Sequence, residues 1–178
     1  VLPGGFSYGD YLRTGCIASK SNIIKDVIKH AQKGRLILGI CNGFQILIET
    51  GLLPGALLRN TKLRFVSKNI FLKVTNVDNP FCSNYKSKDI IKLPVAHNEG
   101  NFFANKKVLN NLEENNLIAF KYCDEEGKIN INSNPNGSAD NIAGILNLEK
   151  NILGMMPHPE RLIDPFLSGE DGSILFES

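Results

Sequence analysis

The segment Gly39-Ile40-Cys41-Asn42-Gly43-Phe44-Gln45 constrains the fold more than any other part of the chain. Before it, Arg35 to Ile40 is short, apolar and β-branched, the pattern of a strand buried on both faces in a parallel sheet. After it, Asn42 to Thr50 carries Phe44, Ile46, Leu47 and Ile48, and Gly51 closes the run as the residue just past a helix. A strand that turns sharply into a helix needs close backbone approach, and glycines flank Cys41 on both sides. This is the geometry of a nucleophile elbow, with cysteine in the place of serine. Free N–H groups and the positive end of the helix dipole would stabilise a thiolate there. A buried structural thiol is the competing reading.

A cysteine nucleophile needs a base, and the base needs an orienting group. Met155-Met156-Pro157-His158-Pro159-Glu160-Arg161 offers both. Prolines on either side of His158 exclude helix and predict an extended segment. In an extended chain, residues i and i+2 share a side, so Glu160 is expected to face His158. A carboxylate on one imidazole nitrogen fixes the tautomer and leaves the other for the sulfur. A histidine beside proline is more often a plain loop residue; paired with the elbow it suggests a Cys–His–Glu triad.

The chain of 178 residues fits one domain spanning residues 1–178, and 42% hydrophobic content is ordinary for a globular protein. A net charge of +2, with no basic run interleaved with aromatics, argues against nucleic acid. No apolar stretch approaches the roughly 20 residues that span a bilayer, and no signal-peptide pattern opens the chain. Cys16, Cys41, Cys82 and Cys123 form no metal-ligand pattern, so no metal site is expected. Reduced thiols in a cytoplasmic enzyme are the simplest reading.

Val1 to Gly5 reads as the end of a strand entering a glycine-rich turn. Asn22 is expected to cap a helix running to about Lys33, with Ile23, Ile24, Val27, Ile28 and Ala31 on one face and Gly34 as its stop. Arg64 to Asp78 and Leu117 to Tyr122 read as strands, and Lys106 to Asn115 as a helix. Ile142 to Leu148 and Ile152 to Met156 read as a hairpin. The order implies an α/β domain: a central, mostly parallel sheet flanked by helices, with an antiparallel extension.

The motifs together resemble the triad-type (class I) glutamine amidotransferases, a three-layer flavodoxin-like fold. Within that family the chain resembles the glutaminase subunits of phosphoribosylformylglycinamidine synthase. The likeness rests on Leu2 to Arg13, the elbow, Leu52 to Leu57, Leu93 to Gly100, Asn134 to Ser138, and Gly154 to Arg161. Cys41, His158 and Glu160 mark the broad class, whereas Gly4 to Arg13 and Asn134 to Ser138 point to the one subfamily. Members of that subfamily carry a strand and helix before the point matching Val1, so the resemblance implies that this chain lacks them.

By that resemblance, Cys41 attacks the side-chain amide of L-glutamine, and His158 protonates the departing ammonia. A γ-glutamyl thioester remains, which water hydrolyses. The backbone N–H groups of Gly5 and Asn42 are the candidate oxyanion donors. Gly4, Gln45, His97 and Asn98 are implied to hold substrate, with His97 either a second catalytic histidine or one that orders its loop. Asn98 stands where many relatives have glycine. Tyr8, Tyr11 and Arg13, on an aromatic, arginine-bearing segment, suggest either a docking surface or a self-packed loop. The implied partners are a large synthetase subunit and a small accessory subunit. No cofactor is expected on this chain, with ATP and Mg²⁺ on the synthetase, which amidates formylglycinamide ribonucleotide in purine biosynthesis.

Three other readings compete. Hydrolases and chaperones of the related elbow superfamily usually place histidine directly after the cysteine, where this chain has Asn42. A non-catalytic module keeping the fold would normally have lost Cys41, His158 or Glu160. An amidotransferase with another acceptor is disfavoured by Tyr8 to Arg13.

Overall fold

Eight strands and four α-helices are found among the residues described by the computed structural model, which are 1–5, 7, 13–167 and 169–178. In chain order the strands are β1 (Ile37–Ile40), β2 (Ala56–Leu58), β3 (Val66–Val74), β4 (Ile90–His97), β5 (Asn101–Phe103), β6 (Ile118–Cys123), β7 (Ile142–Leu146) and β8 (Ile152–Met155). The helices are α1 (Asn22–Gln32), α2 (Asn42–Glu49), α3 (Lys106–Glu114) and α4 (Ser173–Glu177). One sheet runs β1-β8-β7-β6-β3-β4, and β2 and β5 form a separate two-stranded ribbon.

The parallel part of the sheet is small and carries the site. β1 pairs in parallel with β8, Ile40 opposite Met155, and on its other side Gly39 bridges Leu2 in parallel. The segment at Leu2, β1 and β8 thus all end at the same edge, where Gly4-Gly5, Cys41 and His158 follow. The crevice beyond the carboxyl ends of parallel strands is where open α/β sheets bind ligands. Every other pairing in the large sheet is antiparallel. The antiparallel extension expected from the sequence is therefore the larger share of a mixed sheet.

The predicted elements occur with shifted ends. Ser21, with extended backbone (φ −65°, ψ 152°), is the N-cap of α1, because Asn22 already lies in the helix. In α3 the Asn105 side chain accepts the Val108 N–H, satisfying a donor that helix starts leave unpaired. β7 and β8 form the expected hairpin. β4 was not legible as a strand because it contains Pro94. The proline is tolerated on an edge strand, where its missing N–H faces away from the ladder and its carbonyl accepts the His158 N–H at 2.8 Å. Leu72, Leu93, Phe120 and Leu146 lie fully buried in one core with Phe44 and Leu47 of α2. Truncating Leu47 to alanine would cost about 2–5 kcal/mol.

Candidate active site

Cys41 occupies the one-residue turn between β1 and α2 with φ 51° and ψ −105°. A left-handed backbone at a residue bearing a Cβ costs on the order of 1–3 kcal/mol, and it persists only where surrounding bonds hold it. Here the Cys41 N–H donates to the Met155 carbonyl (2.7 Å), and the Gln45 N–H donates to the Cys41 carbonyl (3.2 Å). The flanking glycines are required by proximity. A Cβ on Gly39 would meet the Leu47 side chain and the Gly43 backbone, and one on Gly43 would meet the Leu2 carbonyl. The sulfur lies 3.8 Å from the Ala96 carbonyl oxygen.

His158 is buried, and its Nδ1 lies 2.6 Å from Glu160 Oε1. Its Nε2 is also buried and finds no hydrogen-bond partner among the described residues. Burial alone would raise the Glu160 pKa, but the hydrogen bond and charge of His158, aided by Arg161, hold this carboxyl below its ordinary value. The predicted pairing is present, while the predicted extended conformation is not. Pro159–Arg161 is a turn of 3₁₀-helix with His158 as its N-cap. Proline at the first helical position has no N–H to lose and a φ already suited to the turn, so Pro159 starts helical structure here.

Gly4 lies against both Cys41 and His158. A point one Cβ-length from its Cα lies 2.7 Å from His158 Cε1, 3.3 Å from His158 Nδ1 and 3.4 Å from Cys41 Cβ. Both side chains therefore border the same spot, and Gly4 lies behind the imidazole instead of on the pocket wall. The pocket, about 150 Å³, is lined by Gly5, Cys41, Asn42, Gln45, His97, Asn98 and His158, all singled out from the sequence. Thr14, Phe65, Glu99 and Arg161 also line it and had been given no role.

Asn42, in the place of the histidine of other elbow proteins, ties the first loop to the helix. Its Oδ1 accepts the Ser7 N–H (3.2 Å) and its Nδ2 donates to Gln45 Oε1 (3.0 Å). Gln45 Nε2 in turn donates to the Glu99 carbonyl (2.7 Å), so this amide shapes the pocket's far wall. Thr14 Oγ1 donates to Glu99 Oε2 (2.6 Å), and Arg59 lies 3.6 Å from Glu99 Oε1. Arg13 makes a bidentate pair with Glu49 at the end of α2, at 2.6 and 2.7 Å. The hydrogen bond to Glu49 raises the Arg13 pKa further. Tyr8 and Tyr11, expected to dock a partner, lie outside the described residues. His97 orders its loop: Nδ1 faces Asn60 Oδ1 (3.2 Å), and burial together with the charge of His158 lowers its pKa to about 4.

Comparison with known proteins agrees with this fold. Residues 1–169 match the family described as the CobB/CobQ-like glutamine amidotransferase domain. The chain belongs to this family. The amidotransferase is 58% identical, over 178 residues, to phosphoribosylformylglycinamidine synthase subunit PurQ of Pelagibacter ubique, spanning all of this chain and 78% of that protein. It is 54% identical to the PurQ subunit of Gloeobacter violaceus, again over its whole length and 77% of the relative. Among solved structures it resembles a chain in the structure of PurLQS from Thermotoga maritima. The TM-score is 0.85 at 41% identity, covering 99% of this chain and 75% of that one.

Proposed function

We propose that this amidotransferase is the glutaminase subunit of phosphoribosylformylglycinamidine synthase, hydrolysing L-glutamine through a cysteine thioester. The observation that carries the chemistry is the convergence of Cys41 and the His158–Glu160 pair on one pocket, at the end of the parallel strands. The acceptor follows from the high identity to PurQ subunits along the whole chain.

The Cys41 thiolate attacks the carboxamide carbon, and the carbonyl electrons move onto oxygen. The backbone N–H groups of Gly5 and Asn42, both on the pocket wall, receive that oxyanion. His158, oriented through Nδ1 by Glu160, gives a proton from Nε2 to the amide nitrogen as the C–N bond breaks and ammonia leaves. Water, deprotonated by His158, then attacks the thioester and releases glutamate and the thiolate. Glu99 and Arg161 line the pocket, and their charges are complementary to the α-ammonium and α-carboxylate of a free amino acid.

Ammonia passes to a large synthetase subunit, where ATP and Mg²⁺ act, and a small accessory subunit completes the assembly. No step on this chain passes through either cofactor. Similarity to a chain within PurLQS supports such an assembly. Arg13, paired with the end of the helix that begins beside Cys41, couples docking to the nucleophile. A reduced thiol nucleophile suits the cytoplasm, where we place the enzyme.

The test is glutamate release in the assembled complex, together with mapping of the adduct formed by a glutamine-mimicking electrophile. Cys41 alone should be modified, and Cys41→Ala should abolish glutamine-dependent amidation while sparing amidation driven by added ammonia. Burial pushes Cys82 up to about 12 and Cys123 to about 11, so neither offers a thiolate at neutral pH. Modification elsewhere, or full activity in Cys41→Ala, overturns the proposal.

A further inference from the structure

The segment Asn134 to Ser138 takes no part in the chemistry above, yet it reaches His97, which lines the pocket. Asn136 and Ser138 are buried, as are Asn60, His97 and Tyr122, and these side chains form one connected polar cluster. The orientation of both amides is set by backbone groups. Asn60 Nδ2 donates to the carbonyls of Arg64 (2.9 Å) and His97 (3.0 Å), while its Oδ1 accepts the Gly100 N–H (3.1 Å). Asn136 Oδ1 accepts from Ser138 N (3.0 Å) and Ser138 Oγ (2.7 Å). Its Nδ2 donates to the Gly100 carbonyl (2.7 Å) and to the Tyr122 hydroxyl (3.2 Å).

The imidazole between them has no freedom in its protons. Nδ1 of His97 faces an acceptor, Asn60 Oδ1 at 3.2 Å, so it carries a hydrogen. Nε2 faces the amide nitrogen of Asn136, Nδ2 at 3.5 Å, whose two hydrogens go to the Gly100 carbonyl and the Tyr122 hydroxyl; that nitrogen offers no lone pair, so a hydrogen on Nε2 would find no acceptor there. The Gly100 backbone lies against the ring: a Cβ there would lie 2.7 Å from Nε2. Ionisable groups close to this ring are His158 and Cys41 across the pocket, Glu99 on its own loop, and Tyr122 through Asn136.

We propose that Asn136 is a positioning residue for the glutaminase reaction: with Asn60 it holds His97 as the neutral Nδ1-protonated tautomer, so that His158 has no second cation beside it. The clamp also fixes the backbone from Ala96 to Gly100, whose carbonyls meet the Cys41 sulfur and the Gln45 amide. A charged His97 would disfavour the imidazolium form of His158 that must protonate the leaving ammonia. The depressed pKa of His97 agrees with this arrangement. The inference rests on the functional reading above for His158.

The test is the ¹⁵N spectrum of the three histidines in the intact labelled chain from pH 8 to pH 5, with glutaminase pH–rate profiles of the complex. His97 should keep its Nδ1–H tautomer and stay neutral throughout. Asn136→Ala should let it titrate. A full return to the ordinary pKa near 6.5 would charge about three quarters of the ring at pH 6, so the loss there relative to pH 8, which the parent lacks, should reach at most about fourfold. Adding His97→Gln to Asn136→Ala should remove that pH-dependent loss. An Nε2–H tautomer, a His97 that titrates in the parent chain, or superposable profiles for parent and Asn136→Ala overturn the proposal. The tautomer is read whether or not the chain hydrolyses glutamine, whereas a missing Cys41 adduct would sink the functional reading and leave the spectrum untouched.

Discussion

Replacing Gly4 with alanine adds one methyl group at the junction of base and nucleophile. The methyl carbon would lie 2.7 Å from His158 Cε1, while ordinary contact begins at 3.4 Å, so the imidazole must retreat by about 0.7 Å. It has little room to do so: the ring is 2% exposed, its backbone N–H is tied to Pro94, and Nδ1 is bound to Glu160 at 2.6 Å. Misplacing a reacting group by about 1 Å costs roughly 10²-fold, and spoiling the orienting hydrogen bond costs more. We expect kcat/KM for glutamine to fall by about 10²- to 10³-fold, or about 3–4 kcal/mol of barrier. Gly4 is not among the residues with positive φ, so alanine brings no backbone strain, and the crowding should cost about 1–3 kcal/mol of stability, leaving the chain folded at the assay temperature. The assay is glutamate release in the assembled complex, paired with a thermal melt. Activity within threefold of the parent would mean that the working imidazole does not sit against Gly4. Loss of activity matched by loss of folded protein would refute the steric reasoning equally.

Glu160→Gln should lower kcat less than His158→Ala at saturating glutamine, because the carboxylate orients and the imidazole transfers protons; equal or reversed losses would show the roles to be misassigned. The parent's activity should fall as acid protonates Glu160, and since the folded pKa of this carboxyl is depressed, that loss comes below the usual carboxylate range. His97 has a folded pKa of about 4 against an ordinary value of 6.5. The unfolded chain therefore binds an extra proton between those values, and stability falls by up to about 3 kcal/mol as pH drops from 6.5 to 4. Urea unfolding at pH 7 and pH 4.5 should show this slope in the parent and a weaker one in His97→Gln.

Local chemistry written in consecutive residues was legible without coordinates. The elbow could be read because Gly39, Cys41 and Gly43 sit within five positions, between a β-branched run and a helical one. The His158–Glu160 pairing was also local, although its backbone was misread: proline excludes the helix interior but favours its first position. The short strands β2 and β5 carry too few residues to show a period, and Pro94 masked β4 because tolerance of proline depends on which edge of a sheet the strand occupies.

By itself the sequence determined the class of fold and the candidates for nucleophile, base and orienting carboxylate, since each depends on residues close along the chain. Only the tertiary structure decided which distant groups complete the pocket. Glu99 reaches Thr14 across 85 positions, and Arg13 reaches Glu49 across 36. Asn136 meets His97 at a separation of 39, which gives a signature in the sequence a physical task at a pocket-lining residue. Such pairs leave no periodicity or spacing to read. They exist because three parallel segments end at one edge and the antiparallel strands fold the remaining loops onto it.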